Sequence, residues 1–312
     1  MSGLLIVIAS AVLAGAPLQG EPPDTDVPSA AMGDGPAARP LVPPEPPLAP
    51  LDDASTNLEV SLLAGVWLPR LVGNVALGGA MIGLEDDFDL DANEATLNVE
   101  LAIRKDETWE LWFGGFDFST SVGGAYLGSG GTFGSLVLSN GTPYSSRLDI
   151  TSVAAELIVT VWRPFADGHS REMGQRNRTW DGHYGTDLRF SPQFGMRYID
   201  VDQSVTTAAG TVDTGGEWLG VYAGMVMELD YRPQERVQGF TLFRFQMSTA
   251  LGPVLGGDGG FMWQIRVGGT VQFTDLFGVT VGYRLLELNA DNGAYTFNGG
   301  LQGMFLAGSI RF

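Results

Sequence analysis

The sequence predicts an all-β chain, an antiparallel up-and-down β-barrel of about ten strands (roughly 8 to 12), and three observations predict it. From Asn57 onward, segments of alternating apolar and polar residues follow one another with Gly, Asn and Asp between them, and no helical period is sustained. The connections between segments divide into short turns and long loops, largely on alternate ends. The last segment, GMFLAGSIRF, sets Met304, Leu306, Gly308, Ile310 and Phe312 against Phe305, Ala307, Ser309 and Arg311, so one of its sides has no polar side chain.

Composition agrees with strands and turns. Of 312 residues 44 are Gly, and one Lys stands against 16 Arg. Two stretches precede the alternating region. MSGLLIVIASAVLAGAPLQG has an apolar run from Leu4 to Leu13 followed by Ala14-Gly15-Ala16. It reads as a secretory signal over 1–20, too short to span a bilayer, although no basic residue precedes the run. Residues 21–56 read as a disordered, acidic, Pro-rich linker. Eleven of the 17 prolines lie between Pro17 and Pro50, where they can neither donate to a ladder nor build a core. The remaining 57–312 form the barrel. Absence of Cys excludes disulfides and lipoprotein anchoring.

The net charge of −19 gathers in non-strand segments: seven acids and one Arg in 17–56, six acids and one Arg in 69–94. Phosphate contact needs a basic surface, so a nucleic-acid partner is excluded.

The expected strands are 57–68, 94–104, 108–119, 147–162, 186–200, 217–231, 237–249, 261–273, 277–289 and 302–312. ATLNVELAIR places Leu97, Val99, Leu101 and Ile103 on one side and Thr96, Asn98, Glu100 and Arg104 on the other. Alternation is only partial in 108–119 and 237–249, which allows a bulge or slipped register there. The short turns are 105–107, 232–237 and 274–277. The long loops are 69–93, 120–146, 201–216, 250–260 and 290–301, and 120–146 has room for another hairpin. The turn at 163–185 departs from the rule.

The polar side combines small residues such as Gly65, Gly220, Gly224 and Gly282 with charges of both signs, which suits a narrow closed lumen. Five acids (Glu59, Glu100, Glu156, Glu228 and Asp230) face six arginines (Arg104, Arg189, Arg197, Arg266, Arg284 and Arg311). Isolated charges in such an interior are costly, so this near balance predicts an ion-pair network that plugs the barrel, with Arg284 paired to an acid. Trp109, Trp263, Tyr198, Tyr231, Tyr283 and Phe312 stand near strand ends on the apolar side, as rings at a water–lipid boundary would. Trp67, Trp162 and Trp218 fall on the polar side. The apolar sides are expected to face lipid, which makes the barrel transmembrane.

The closing stretch GYRLLELNADNGAYTFNGGLQGMFLAGSIRF resembles the last hairpin of the small OmpA-type and opacity-type barrels, loosely and over 57–312. The terminal Phe resembles the signal by which bacterial outer-membrane proteins are recognised for assembly. The resemblance implies a location in the outer membrane of a Gram-negative cell envelope, contact with its lipid, and engagement of the barrel assembly machinery through Met304, Leu306, Ile310 and Phe312. It carries over no catalytic motif.

Chemistry is sparse. The two histidines, His169 and His183, sit in the polar turn 163–185, and His169 beside Ser170 has no third group to orient it, so no enzyme is expected. Asp87, Asp89 and Asp91 have the spacing of the first three EF-hand ligands, but Ala92 stands where Gly is required and Asn98 where Glu is required. Weak divalent-cation bridging is the most that loop implies, and no cofactor is expected. The functional expectation is a closed structural or surface-interaction barrel. A narrow porin-like channel for small solutes is the alternative, and an outer-membrane lipid-modifying enzyme the second.

Overall fold

A computed structural model describes residues 58–105, 108–165, 185–233 and 239–312. The signal and linker segments, and the turn holding His169, Ser170 and His183, lie outside these residues. Thirteen strands are present among the described residues: β1 (Leu58–Leu77), β2 (Ile82–Gly83), β3 (Thr96–Lys105), β4 (Trp109–Ala125), β5 (Gly131–Phe133), β6 (Leu136–Leu138), β7 (Pro143–Val159), β8 (Thr186–Thr207), β9 (Gly210–Tyr231), β10 (Leu242–Leu255), β11 (Gly259–Gln272), β12 (Phe277–Asp291) and β13 (Tyr295–Arg311). All except β2, β5 and β6 are the ten staves of the barrel, each antiparallel to its sequence neighbour. β13 closes on β1 from Ser61↔Arg311 to Leu77↔Tyr295, which leaves no unpaired edge there.

The ten staves lie where the alternation predicts, but many run further at the long-loop end. Expected loop 201–216 is instead the top of the β8–β9 hairpin, paired continuously up to Thr207↔Gly210. β8 and β9 have 22 residues each, roughly 70 Å along the strand. A bilayer-spanning strand needs only about 9–11 residues. In 120–146, β4 runs on to Ala125 and β7 begins at Pro143, with the small β5–β6 hairpin between them. The partial alternation of 108–119 and 237–249 does not come from a bulge, since β4–β7 and β9–β10 each keep a single register.

The strand ends were hidden because the chemistry of the two faces exchanges along each stave while the geometric alternation continues. In β8 the inward side chains run Arg189, Ser191, Gln193 and Arg197 and then Ile199, Val201, Gln203 and Val205, with Gln203 accepting the Tyr295 hydroxyl at 3.0 Å. The outward ones run Phe194, Met196 and Tyr198 and then Asp200, Asp202, Ser204 and Thr206. β12 does the same: inward Thr280 and Arg284 give way to Leu286, Leu288 and Ala290, while outward Val279, Val281 and Tyr283 give way to Glu287, Asn289 and Asp291. The half nearer the short turns therefore has an apolar exterior and a polar interior. The projecting half has a polar exterior and an apolar interior.

Glycines make room for inward rings. A Cβ on Gly195 would stand 2.6 Å from the Tyr222 ring, and one on Gly282 2.5 Å from the Phe305 ring. Trp67 and Trp218 are buried inside the barrel, but Trp162 is not in the lumen. β7 stops at Val159, so the strand parity no longer governs Trp162, which is exposed and stacks on Phe190 at 5.0 Å.

Candidate functional site: the two fillings of the lumen

In the projecting half the interior is packed with apolar side chains. Leu71, Val75, Phe118, Leu148, Val201, Trp218, Leu288 and Phe297 form one cluster with residues that the 84–94 loop contributes. Leu84, Phe88 and Leu90 of that loop are fully buried, and Phe88 sits among Tyr126, Phe133 and Tyr144 with ring centroids 6.0, 6.0 and 5.5 Å away. The Tyr144 hydroxyl donates to the Phe88 carbonyl at 2.6 Å. Burial, and secondarily the charge of Asp89, push the Tyr144 phenol up to about 12.

The acidic loop is thus a stopper whose apolar residues point in and whose acids serve separate local roles. Asp87 accepts the Gly83 N–H at 2.7 Å, Asp89 occupies the left-handed backbone region with φ 52°, and Asp91 pairs with Arg70 at 3.0 Å. Among the described residues no set of three acidic or histidine side chains is placed to hold a metal ion.

In the other half the filling is ionic. All eleven charged residues expected in the lumen face inward. Arg104 reaches Glu228 at 3.0 Å, Arg189 reaches Glu228 at 3.1 Å and Asp230 at 2.5 Å, Arg266 reaches Glu100 at 2.7 Å and Arg311 reaches Glu59 at 2.7 Å. Further residues join that sequence reading missed. Glu110 pairs with Arg104 at 2.5 Å, Arg244 with Asp230 at 2.7 Å, and Asp187 with both Arg189 at 2.9 Å and Arg163 at 2.8 Å. Glu110 and Arg244 belong to the two segments whose alternation is blurred by inward or flanking aromatics. Carrying the parity of the neighbouring clean strands across the ladder finds both, since Arg244 stands opposite Asp230 and Glu110 opposite Arg104.

Three of the expected partners are joined through neutral groups instead. Arg284 has no acid within ion-pair distance among the described residues. It donates to Asn98 Oδ1 at 3.2 Å, and Asn98 in turn donates to Glu100 at 2.8 Å. The Arg284 guanidinium also lies over Trp67 and Phe116, 5.1 and 5.2 Å from their centroids. Arg197 donates to Ser152 and Gln264, both at 2.9 Å. Glu156 receives the Tyr222 hydroxyl at 2.7 Å and the Gln264 amide at 3.0 Å. These side chains surround a polar cavity of about 130 Å³ that runs from Glu59 and Arg311 to Arg197 and Arg284.

Outside, the last strand turns Met304, Leu306 and Phe312 to the exterior, at 52, 58 and 72% exposure, with Ile310 partly covered beside them. Tyr198, Trp263 and Tyr283 sit where the outward face changes from apolar to polar, and they bond across the change: Trp263 Nε1 donates to Glu287 and the Tyr283 hydroxyl to Gln302 at 3.1 Å. Above them the outward face carries Asp117, Asp149, Asp200, Asp202 and Glu217. Burial first, then the neighbouring charges of Asp202 and Glu217, push the Asp200 carboxyl up.

A closed ladder, an outward apolar band and ring-bearing boundaries together define an outer-membrane-type β-barrel. No protein-family profile and no curated protein sequence matches the chain. Among solved structures it is similar to the outer membrane protease OmpT from Escherichia coli, at 8% identity over 84% of this chain and 99% of that one, with TM-score 0.41. It is also similar to the transport unit of the autotransporter AIDA-I from Escherichia coli, at 9% identity over 85% and 92% with TM-score 0.30. The Pseudomonas putida toluene transporter TodX is similar at 10% identity over 81% and 89%, with TM-score 0.26.

Proposed function

We propose that the protein is a non-enzymatic barrel of the bacterial outer membrane whose lumen is closed, and that its role is structural or one of surface interaction. One observation carries this reading: the lumen holds two fillings in series. A solute entering at the short-turn end meets paired charges and a small polar cavity. It then meets an interior where Leu71, Phe118, Leu148, Val201 and Trp218 are each 0 or 1% exposed. Polar groups in that section are few, Thr120, Ser146, Gln203 and the Tyr295 hydroxyl among them, so an ion crossing it would lose most of its hydration without replacement. The long staves raise the loops and the acidic exterior well above the lipid, where a surface partner would meet them. The C-terminal strand, with Phe312 outward, is the element offered to the assembly machinery.

Recording in planar bilayers tests the closed lumen. The expected record is free of steady conductance steps, and reproducible steps would replace this reading with the narrow channel. The enzyme reading has its own test, because a lipid-modifying activity lost on His183→Ala would supersede the structural role.

A further inference from the structure

Three guanidiniums and two carboxylates meet at the inner end of the polar cavity, next to the apolar filling. Arg266 and Arg284 stand directly opposite each other on β11 and β12 with both side chains inward, a placement in which like charges repel. Glu100 answers Arg266 at 2.7 Å and reaches Arg284 only through the Asn98 amide. Arg284 is 6% exposed and Arg197 1%. The neutral partners of Arg197 leave its Nε without a hydrogen-bond acceptor among the described residues. Glu156 is held by Tyr222 and Gln264, both neutral.

The local sum is one positive charge in excess, and the chain has no easy way to remove it. Arginine does not discharge by losing its proton under ordinary conditions. Paired burial is the only inexpensive state for such a group. All five charged side chains line the same cavity of about 130 Å³, which exceeds the space one water requires and also has Trp112, Ile158 and Ile265 in its wall. Guanidinium edges of this kind are matched by planar oxyanions and carboxylates, which accept two parallel N–H bonds.

We propose that the inner end of this cavity binds one small monovalent anion, of the carboxylate or oxyanion class, between Arg197 and Arg284, entering from the short-turn mouth. The anion supplies the counter-charge that Glu100 and Glu156 leave short. It also fixes the two guanidiniums against the lower surface of the apolar filling.

The test is thermal unfolding of the refolded full chain in detergent, followed by heat-modifiable gel mobility. Sodium formate is titrated at constant ionic strength against sodium chloride, whose spherical anion has no pair of oxygens to accept two parallel N–H bonds. The midpoint is expected to rise saturably with formate in the wild type and in the exterior variant Arg147→Met, and to lose that response in Arg284→Met. Equal midpoints in the two salts, or a formate response unchanged by Arg284→Met, would overturn the site. If Arg284→Met does not fold, crystals of the wild type soaked in bromoacetate, a small monovalent carboxylate that carries an anomalous scatterer, decide. An anomalous peak between Arg197 and Arg284 is expected, and ordered water alone at that place would overturn the site. Conductance steps would remove the closed-lumen reading and leave the formate response standing, so the two ideas fail separately.

Discussion

The membrane half and the projecting half of this barrel are made by the same strands in the same register, yet they are inverted in chemistry. Below the Tyr198–Tyr283 level the exterior is Phe194, Met196, Val221 and Leu306, and the interior is arginine, carboxylate and amide. Above it the exterior is Asp200, Asp202 and Glu217, and the interior is mainly apolar, with Thr120, Ser146 and Gln203 as buried polar exceptions. The difference teaches that the backbone ladder fixes which way each side chain points and the surroundings fix which residue is stable there. Lipid rewards an apolar exterior and leaves the narrow lumen to be filled by groups that satisfy one another. Water rewards a polar exterior and leaves the lumen to hydrophobic packing.

If the halves are held by different forces, they fail differently. The largest losses are expected at their two centres. Trp218→Ala removes a fully buried ring from the projecting half and should cost about 3–5 kcal/mol, read from the denaturant midpoint of refolded protein. Asp230→Asn takes the charge that Arg189 and Arg244 share and should cost a similar ~3–5 kcal/mol. A conservative core change sharpens the contrast, because Phe118→Leu should cost under about 1.5 kcal/mol where no charge is involved. Equal tolerance of Asp230→Asn and Phe118→Leu would break it.

Outward charge is expected to act next. Met196→Arg places a cation in the lipid-facing band and should cost about 2–4 kcal/mol on refolding into vesicles, whereas Thr206→Arg, ten residues up the same face, should lie within about 0.5 kcal/mol of wild type. Alkaline pH gives a smaller, local effect. The Tyr144 phenol is raised to about 12, so its contribution is complete below the unfolded value of about 10 and is lost as pH rises through the folded one. Tyrosinate absorbance should report loosening of the loop stopper between those two values and leave the lipid-embedded half intact. Smallest of all, Arg147→Met breaks only an exposed pair with Asp149 and should leave the unfolding midpoint where it is.

Much of this was legible in the sequence. Ten staves, the interior location of the eleven charged residues and the outward Met304, Leu306 and Phe312 follow from period two alone. The stave lengths did not, because an alternation that exchanges its apolar and polar sides at Tyr198–Ile199 reads as the end of a strand. The loop acids suggested ligands because spacing is visible in a sequence, while the burial of Phe88 and Leu90 that turns the same loop into a stopper depends on the barrel mouth around it. Arg284 was expected to meet an acid because charge balance was counted over the whole lumen. The structure adds the distances, and with them the amide and aromatic partners that stand in between.

The exchange of the two faces can be measured directly because the chain has no cysteine. Single cysteines at the outward positions Phe194, Met196, Tyr198, Asp200, Asp202, Ser204 and Thr206 of β8 would be exposed, in lipid vesicles, to a membrane-impermeant thiol reagent. The account predicts protection through Tyr198 and rapid labelling from Asp202 upward. Labelling at the same rate along the whole series, or protection continuing to Thr206, would contradict it.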